Sequence, residues 1–69
     1  MPRNRTKEKV LCRYFGWLLG LRDRVWQADG RSNSPNLGRH SLGTSDYKEA
    51  RRLLAELDLT MAVMHGLAD

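Results

Sequence analysis

The sequence has little of what usually stabilises very small domains. Its 69 residues include a single cysteine, Cys12, which excludes an internal disulfide. A structural zinc site normally takes four ligands at short spacings, and Cys12, His40 and His65 are too far apart along the chain to form such a motif. We therefore expect no metal and no cofactor. A lone thiol is typical of a reducing cytosol.

Long apolar runs, leader sequences and phosphate-binding glycine motifs are also missing. No run approaches the roughly 18 apolar residues that span a bilayer, and the basic residues 1–5 lead into no apolar signal segment. Neither GxxxxGK[ST] nor GxGxxG occurs. A chain this short leaves little volume for a deep substrate cleft beside its own core. These absences predict a soluble cytoplasmic protein that is not an enzyme and has neither a membrane nor a small molecule as its partner.

Positive charge is abundant and lies mostly in the first part of the sequence. The formal net charge is +4. Residues 1–40 contain nine Lys or Arg against three Asp or Glu, whereas residues 41–69 contain three against five. A basic segment followed by a mildly acidic one indicates a polyanionic partner such as nucleic acid, although a charge of this size also serves solubility alone.

Hydrophobic patterning divides the chain into a basic arm and one small domain. Residues 1–9 alternate charged and small polar groups, which predicts a flexible N-terminal arm, and residues 10–69 are expected to form a single domain. Within this domain, aromatic and aliphatic residues alternate between turn dipeptides. This pattern predicts three antiparallel strands, near residues 14–22, 24–29 and 37–42.

The clearest predicted element is a C-terminal helix at residues 46–65. Ser45 or Asp46 is suited to cap its start, Asp46 and Glu49 have capping-box spacing, and Gly66 is suited to end it. Apolar residues recur at helical spacing along one side: Tyr47, Ala50, Leu53, Leu54, Leu57, Met61 and Met64. Such a stripe needs a sheet face to cover. The predicted fold class is therefore α+β, a three-stranded antiparallel sheet packed against one helix, with the other sheet face open.

Strand alternation predicts which residues occupy the open face of the sheet. If Trp26, Ala28 and Leu42 face the helix, the residues that face outward together are Gln27, Arg39 and Ser41. The hairpin ends and the following loop place three more cations within reach of phosphates: Arg22, Arg24 and Arg31. The planar fork of arginine matches guanine O6 and N7, and glutamine matches adenine N6 and N7. Trp17 and Trp26 have rings suited to base stacking, but core packing is the prediction for both.

Three stretches follow one another in a specific layout: RVWQADGR at 24–31, LGRHSLGT at 37–44 and DYKEA at 46–50. This layout resembles the N-terminal arm-type DNA-binding domain of tyrosine recombinases of the phage-integrase family, and it is similar in architecture to the plant ethylene-response DNA-binding domain. The resemblance implies a sheet that enters the major groove of double-stranded DNA with a helix behind it. The positions that match the DNA-facing strands are Arg22, Arg24, Gln27, Arg39 and Ser41, and the arm would contact phosphates or the minor groove through Arg3, Arg5, Lys7 and Lys9.

The resemblance also limits what the chain does. The catalytic residues of tyrosine recombinases belong to a separate, larger domain, so Tyr14 and Tyr47 inherit no nucleophilic role. The resemblance implies a nucleoid-associated accessory domain of a bacterial or phage-derived integrase, with other recombinase domains or protomers as further partners. The alternative is a protein-interaction module that docks through the sheet or through the helix end that carries Met61 and Met64.

Overall fold

The computed structural model describes residues 7–68 and has an α+β fold. Its elements are β1 (Lys7–Leu11), β2 (Gly16–Arg22), β3 (Val25–Asp29), β4 (Arg39–Ser41) and α1 (Tyr47–Met64). The strands form one antiparallel sheet in the order β1-β2-β3-β4, and α1 covers one face of it. The predicted fold class is confirmed, with four strands in the described part of the chain where three were expected.

The additional strand, β1, includes the last three residues of the predicted arm. The prediction of a flexible arm is therefore wrong for residues 7–9, and residues 1–6 lie outside the described part of the chain. β1 pairs with β2, with Val10 opposite Trp17. Val10 is buried against the core, whereas Lys7 and Lys9 are exposed. Because an edge strand needs few apolar side chains and tolerates lysine well, its composition is close to that of a solvated tail.

The connection between β1 and β2 is held by a buried carboxylate, Asp58 of α1. Its oxygens accept hydrogen bonds from the backbone N–H groups of Tyr14 (3.0 Å) and Phe15 (2.9 Å) and from Trp17 Nε1 (3.0 Å). Asp58 is 2% exposed, so these three donors replace the water that the carboxylate loses on burial. Since these two backbone N–H groups bond to Asp58, β2 begins at Gly16 and not at residue 14.

The β2–β3 hairpin turns at Asp23 and Arg24, which both have positive φ, 53° and 66°. Positive φ at both central residues is typical of the two-residue type I′ turn, whose twist matches that of the flanking strands. Arg24 therefore lies in the turn. The second predicted strand, expected to begin at residue 24, begins at Val25 instead. Neither turn position is a glycine, the residue that most often indicates such a turn in a sequence.

The loop of residues 30–38 contributes a buried side chain to the core. Leu37 is 6% exposed, and a Cβ added at Gly30 would lie 2.7 Å from Trp17 Cζ3 and 2.9 Å from the Cβ of Leu37. Gly38 has φ +77°, which few other residues adopt. The predicted strand at 37–42 is thus shortened to Arg39–Ser41, and Leu37 packs in the core instead of sharing the outward face of β4.

Both ends of α1 are capped by local hydrogen bonds. The Asp46 carboxylate accepts from the N–H of Lys48 (3.0 Å), as expected for an N-cap. The predicted reciprocal contact from Glu49 is replaced by a relay, because the Thr44 hydroxyl donates to Glu49 (2.9 Å) and accepts from the N–H of Asp46 (3.1 Å). At the other end Gly66 has φ +77°, and its N–H and that of the next residue donate to carbonyls of the last turn, a Schellman motif.

The core lies between α1 and the face of the sheet that carries Trp17, Leu19 and Ala28, which are at most 1% exposed. Every fourth helix residue is buried against this face: Ala50, Leu54, Asp58 and Ala62. Three of these four side chains are small or polar, which lets the helix pack near the sheet, and Trp17 is the largest fully buried side chain of the core.

Candidate nucleic-acid interface

The face of the sheet opposite α1, termed the open face, collects polar side chains from both β3 and β4. Gln27 lies opposite Ser41, and Asp29 lies opposite Arg39. Paired residues in an antiparallel ladder point to the same side of the sheet. The predicted arrangement is confirmed, with Trp26, Ala28 and Leu42 on the side of the core and Gln27, Arg39 and Ser41 together on the open face.

Strand β1 brings two further cations, Lys7 and Lys9, to the open face. Lys7 lies opposite Gly20 and Lys9 opposite Leu18, and both pairings continue across the sheet. With neighbouring strands about 4.8 Å apart, the two outer strands are separated by roughly 14 Å. The two lysines therefore lie in a strand and not in a tail. The other two residues of the predicted arm set, Arg3 and Arg5, lie outside the described residues.

Two more predicted residues, Arg22 and Arg24, lie at the hairpin end of the sheet. Arg22 is the last residue of β2 and alternates with Gly20, so it shares the open face. Arg24 is in the turn, and both side chains are exposed. The structure thus places Arg22 with the open-face set and leaves Arg24 at its margin.

Arg31 is held against the open face by Asp29. Its Nε donates to Asp29 Oδ1 (3.0 Å), one terminal nitrogen donates to Oδ2 (2.8 Å), and its backbone N–H also donates to Oδ1 (3.0 Å). The hydrogen bonds from the Arg31 side chain lower the pKa of Asp29 from 3.8 to about 2, although burial acts in the opposite direction. Arg31 therefore belongs to a local ion pair, unlike the unpaired phosphate contact that the sequence predicts.

The two arginines of α1 are paired, in contrast to most of the basic residues on the open face. Arg52 contacts Glu56 (2.9 Å) and Glu49 (3.4 Å), and Arg51 lies 3.5 Å from Glu8. Within residues 7–68, no carboxylate lies at ion-pair distance from four cations of the open face: Lys7, Lys9, Arg22 and Arg39. The open face therefore carries an unneutralised positive charge.

The histidines and the cysteine take structural positions. His40 Nε2 lies 2.7 Å from the carbonyl oxygen of Leu37, and the His65 ring lies edge-on to Phe15 at 6.4 Å. In residues 7–68 no group of three or more His, Cys, Asp or Glu is placed to hold a metal ion. Burial and, to a smaller extent, Asp58 raise the pKa of the Cys12 thiol, which reduces its thiolate fraction and its reactivity.

Both tryptophans pack within the fold, as predicted. Trp17 is 1% exposed and donates its indole N–H to Asp58. Trp26 is half-buried, packs edge-on against Tyr47 at 5.3 Å and donates its indole N–H to the carbonyl of Ser45 (3.1 Å). Both indole rings are therefore held by contacts within the protein.

Two features of the open face were missed from the sequence. The lysines of β1 alternate with Glu8 and Val10, and this alternation was the available sign of a strand. The second feature is the role of Asp29 as the acceptor for Arg31. An Asp-Gly-Arg sequence at a strand end is typical of a turn, and it does not reveal which side chain the carboxylate will bind.

Comparison with known protein families, with curated proteins and with solved structures gives no match for this chain. Within the part of the chain that the structure describes, no helix is both long enough and apolar enough to cross a membrane. Function is therefore inferred from the open face itself.

Proposed function

We propose that the protein binds double-stranded DNA through the open face of its sheet. The observation that carries this proposal is the set of cations on that face that have no ion pair in the described part of the chain: Lys7, Lys9, Arg22 and Arg39. Cations without a carboxylate partner among residues 7–68 gain most from phosphates, because binding releases the counterions condensed on the duplex. The arginines of α1 already contact carboxylates and contribute little to such a field.

The relief of the open face supports a groove of the duplex as the binding site. Gly20 leaves β2 low directly beside Gln27 of β3, and Leu18 is the β2 side chain that lies in the middle of the same face. The major groove is about 12 Å wide, which is close to the roughly 14 Å between the outer strands. In this arrangement the cations of the outer strands face the phosphates. Gln27 faces the base edges, where its amide matches N6 and N7 of adenine.

We further propose that this DNA-binding module acts as the accessory domain of a site-specific recombinase. The support is the strand, loop, strand and helix layout of residues 24–50, which resembles the arm-type domain of phage integrases. In that role the module contributes choice of DNA site and assembly with other recombinase domains or protomers, while bond cleavage takes place elsewhere.

Fluorescence anisotropy with a labelled duplex across a series of salt concentrations tests the proposal. If about five phosphates are neutralised, log Kd should rise with log salt with a slope of roughly 4 to 5. Arg39→Ala should weaken binding and reduce that slope by about 1. Its thermal midpoint should stay close to that of the wild type, because the Arg39 side chain is exposed and bonds to no described residue.

The matched control is Arg52→Ala on α1, which removes the same charge from the opposite side of the molecule. It should change neither affinity nor slope beyond the small effect of net charge. Affinity that does not depend on salt, or equal losses for the two arginine variants, would contradict DNA binding through the open face.

A second candidate function is protein binding by an apolar surface at the C-terminal end of α1, termed the helix-end patch. Its side chains are 47% to 70% exposed, namely Leu59, Val63, Met64 and Leu67. Exposed apolar side chains that adjoin one another often mark protein contacts. Sedimentation velocity over a range of concentrations tests self-association: a mass that rises for the wild type and stays monomeric for Leu59→Ser supports this candidate. A wild type that stays monomeric at all concentrations would show that the helix-end patch does not act by self-association.

A further inference from the structure

The guanidinium of Arg31 is the most tightly positioned cation on the open face. Two of its nitrogens bond to the two oxygens of Asp29, and the backbone N–H of the same residue bonds there as well. Asp29 is 8% exposed, whereas the Arg31 side chain is 54% exposed. One partner is thus anchored in the sheet and the other is presented to solvent in a fixed orientation.

The contact with Asp29 leaves part of the guanidinium unused. Arginine has five N–H donors around a planar fork, and Asp29 accepts from Nε and from one terminal nitrogen. The edge formed by the two terminal nitrogens has no acceptor among the other described residues. That edge presents two parallel donors, the arrangement that matches O6 and N7 of guanine in the major groove.

We propose that Asp29 is a positioning residue that orients Arg31 to recognise a guanine base, so that Arg31 gives this DNA-binding face its sequence specificity. The inference rests on the proposed function. Lys7, Lys9 and Arg22 have no such orienting partner among the described residues and supply affinity that does not depend on sequence.

The ion pair also explains why a base, and not a phosphate, is the ligand assigned to Arg31. A guanidinium already paired with a carboxylate adds little net charge, and the nearby Asp29 repels a phosphate. The neutral guanine edge meets no such repulsion and still gains two hydrogen bonds. The low pKa of Asp29 keeps the carboxylate ionised, and the pair intact, throughout the neutral range.

The experiment is selection of bound duplexes from a random library, carried out in parallel with the wild type, Arg31→Lys and Asp29→Asn. Arg31→Lys keeps the charge and removes the fork. The wild type should select a motif that contains a guanine, and both variants should lose the preference at that position. Replacing this guanine by 7-deazaguanine should weaken wild-type binding by roughly tenfold and leave Arg31→Lys nearly unaffected.

Asp29→Asn gives a readout that a merely structural role would not produce. Removing a negative charge from the open face should strengthen binding to an unrelated duplex at low salt, while the preference for guanine is lost. Arg52→Lys on α1, outside the open face, is the matched control and should keep the selected guanine at that position. Circular dichroism verifies that each variant is folded.

The outcomes separate this inference from the proposed function. If the wild type binds duplexes without a guanine preference, or if Arg31→Lys selects the same motif, the assignment of Arg31 is wrong and DNA binding stands. If the wild type binds no duplex, both are wrong. Loss of the guanine preference in both variants supports the assignment.

Discussion

The two faces of the sheet are built from alternate residues of the same strands, and they differ in what their charges contact. On the side of α1, the buried Asp58 meets three donors, and Arg51 and Arg52 meet carboxylates. On the open face the cations are exposed and, apart from Arg31, lack carboxylate partners in the described chain. Charge on one side therefore holds the fold together, and charge on the other is available to a ligand.

The difference shows that a residue's chemical type does not reveal its role. Asp58 and Asp29 are both acidic and both mostly buried. The first joins the helix to the β1–β2 turn, and the second orients an exposed arginine on the opposite face. Substitutions on the helix side should therefore change stability, and substitutions on the open face should change binding.

The largest effect is expected for Asp58→Ala. The change leaves two backbone N–H groups and one indole N–H buried without acceptors, so we expect a loss of about 3 kcal/mol or more. Asp58→Asn keeps one acceptor oxygen and should lose less, roughly 1 to 2 kcal/mol. Urea denaturation followed by tryptophan fluorescence measures both. A loss below about 1 kcal/mol for the alanine variant would show that the contact does not hold the two layers together.

A smaller effect is expected for Gly30→Ala, which also acts on the helix side. The new methyl would lie within 3.0 Å of Trp17 and Leu37, so we expect a loss of about 1 to 3 kcal/mol. Gly43→Ala is the matched control, because its added methyl meets no atom of the described residues within 4 Å. It should lose only about 1 kcal/mol, from its positive φ. Equal melting temperatures for the two variants would show that the close approach of Trp17 and Leu37 does not require glycine at position 30.

The smallest stability effect is expected on the open face, from the Asp29–Arg31 pair. The pKa of Asp29 is depressed in the folded protein, so its stabilisation is present above the ordinary value of 3.8 and is lost as pH falls through about 2. Because Arg31 is half exposed, we expect about 1 kcal/mol between wild type and Asp29→Asn at pH 7. Urea denaturation at pH 7, 4 and 2.5 measures the difference, which should shrink toward the lowest pH. A constant difference would assign the effect to packing.

The helix was predictable because its signals are local. Apolar residues recur at helical spacing, Asp46 caps the start, and Gly66 ends it with positive φ. The burial of Asp58 was also indicated by the helical spacing, because Asp58 lies four residues from Leu54 and four from Ala62, within the buried stripe. Its partners lie more than 40 residues away, and no local pattern identifies them.

The parts of the fold and site that were missed depend on long-range pairing. β1 has one buried apolar residue, Val10, and is a strand because β2 supplies its hydrogen-bonding partner. Leu37 follows a polar loop and reaches the core only because Gly30 admits it beside Trp17. The outward grouping of Gln27 and Arg39 was predictable, because strand alternation alone decides it.

The bonds to Asp58 also bear on the order in which the protein folds. The β2–β3 hairpin has a two-residue turn and α1 has local caps, so both can form early. The contacts from Asp58 to Tyr14 and Phe15 span 44 and 43 residues, and closing a loop of that length is slow compared with forming a turn. We therefore expect the amide hydrogens of Tyr14 and Phe15 to become protected from exchange last during refolding and to exchange only when helix and sheet separate.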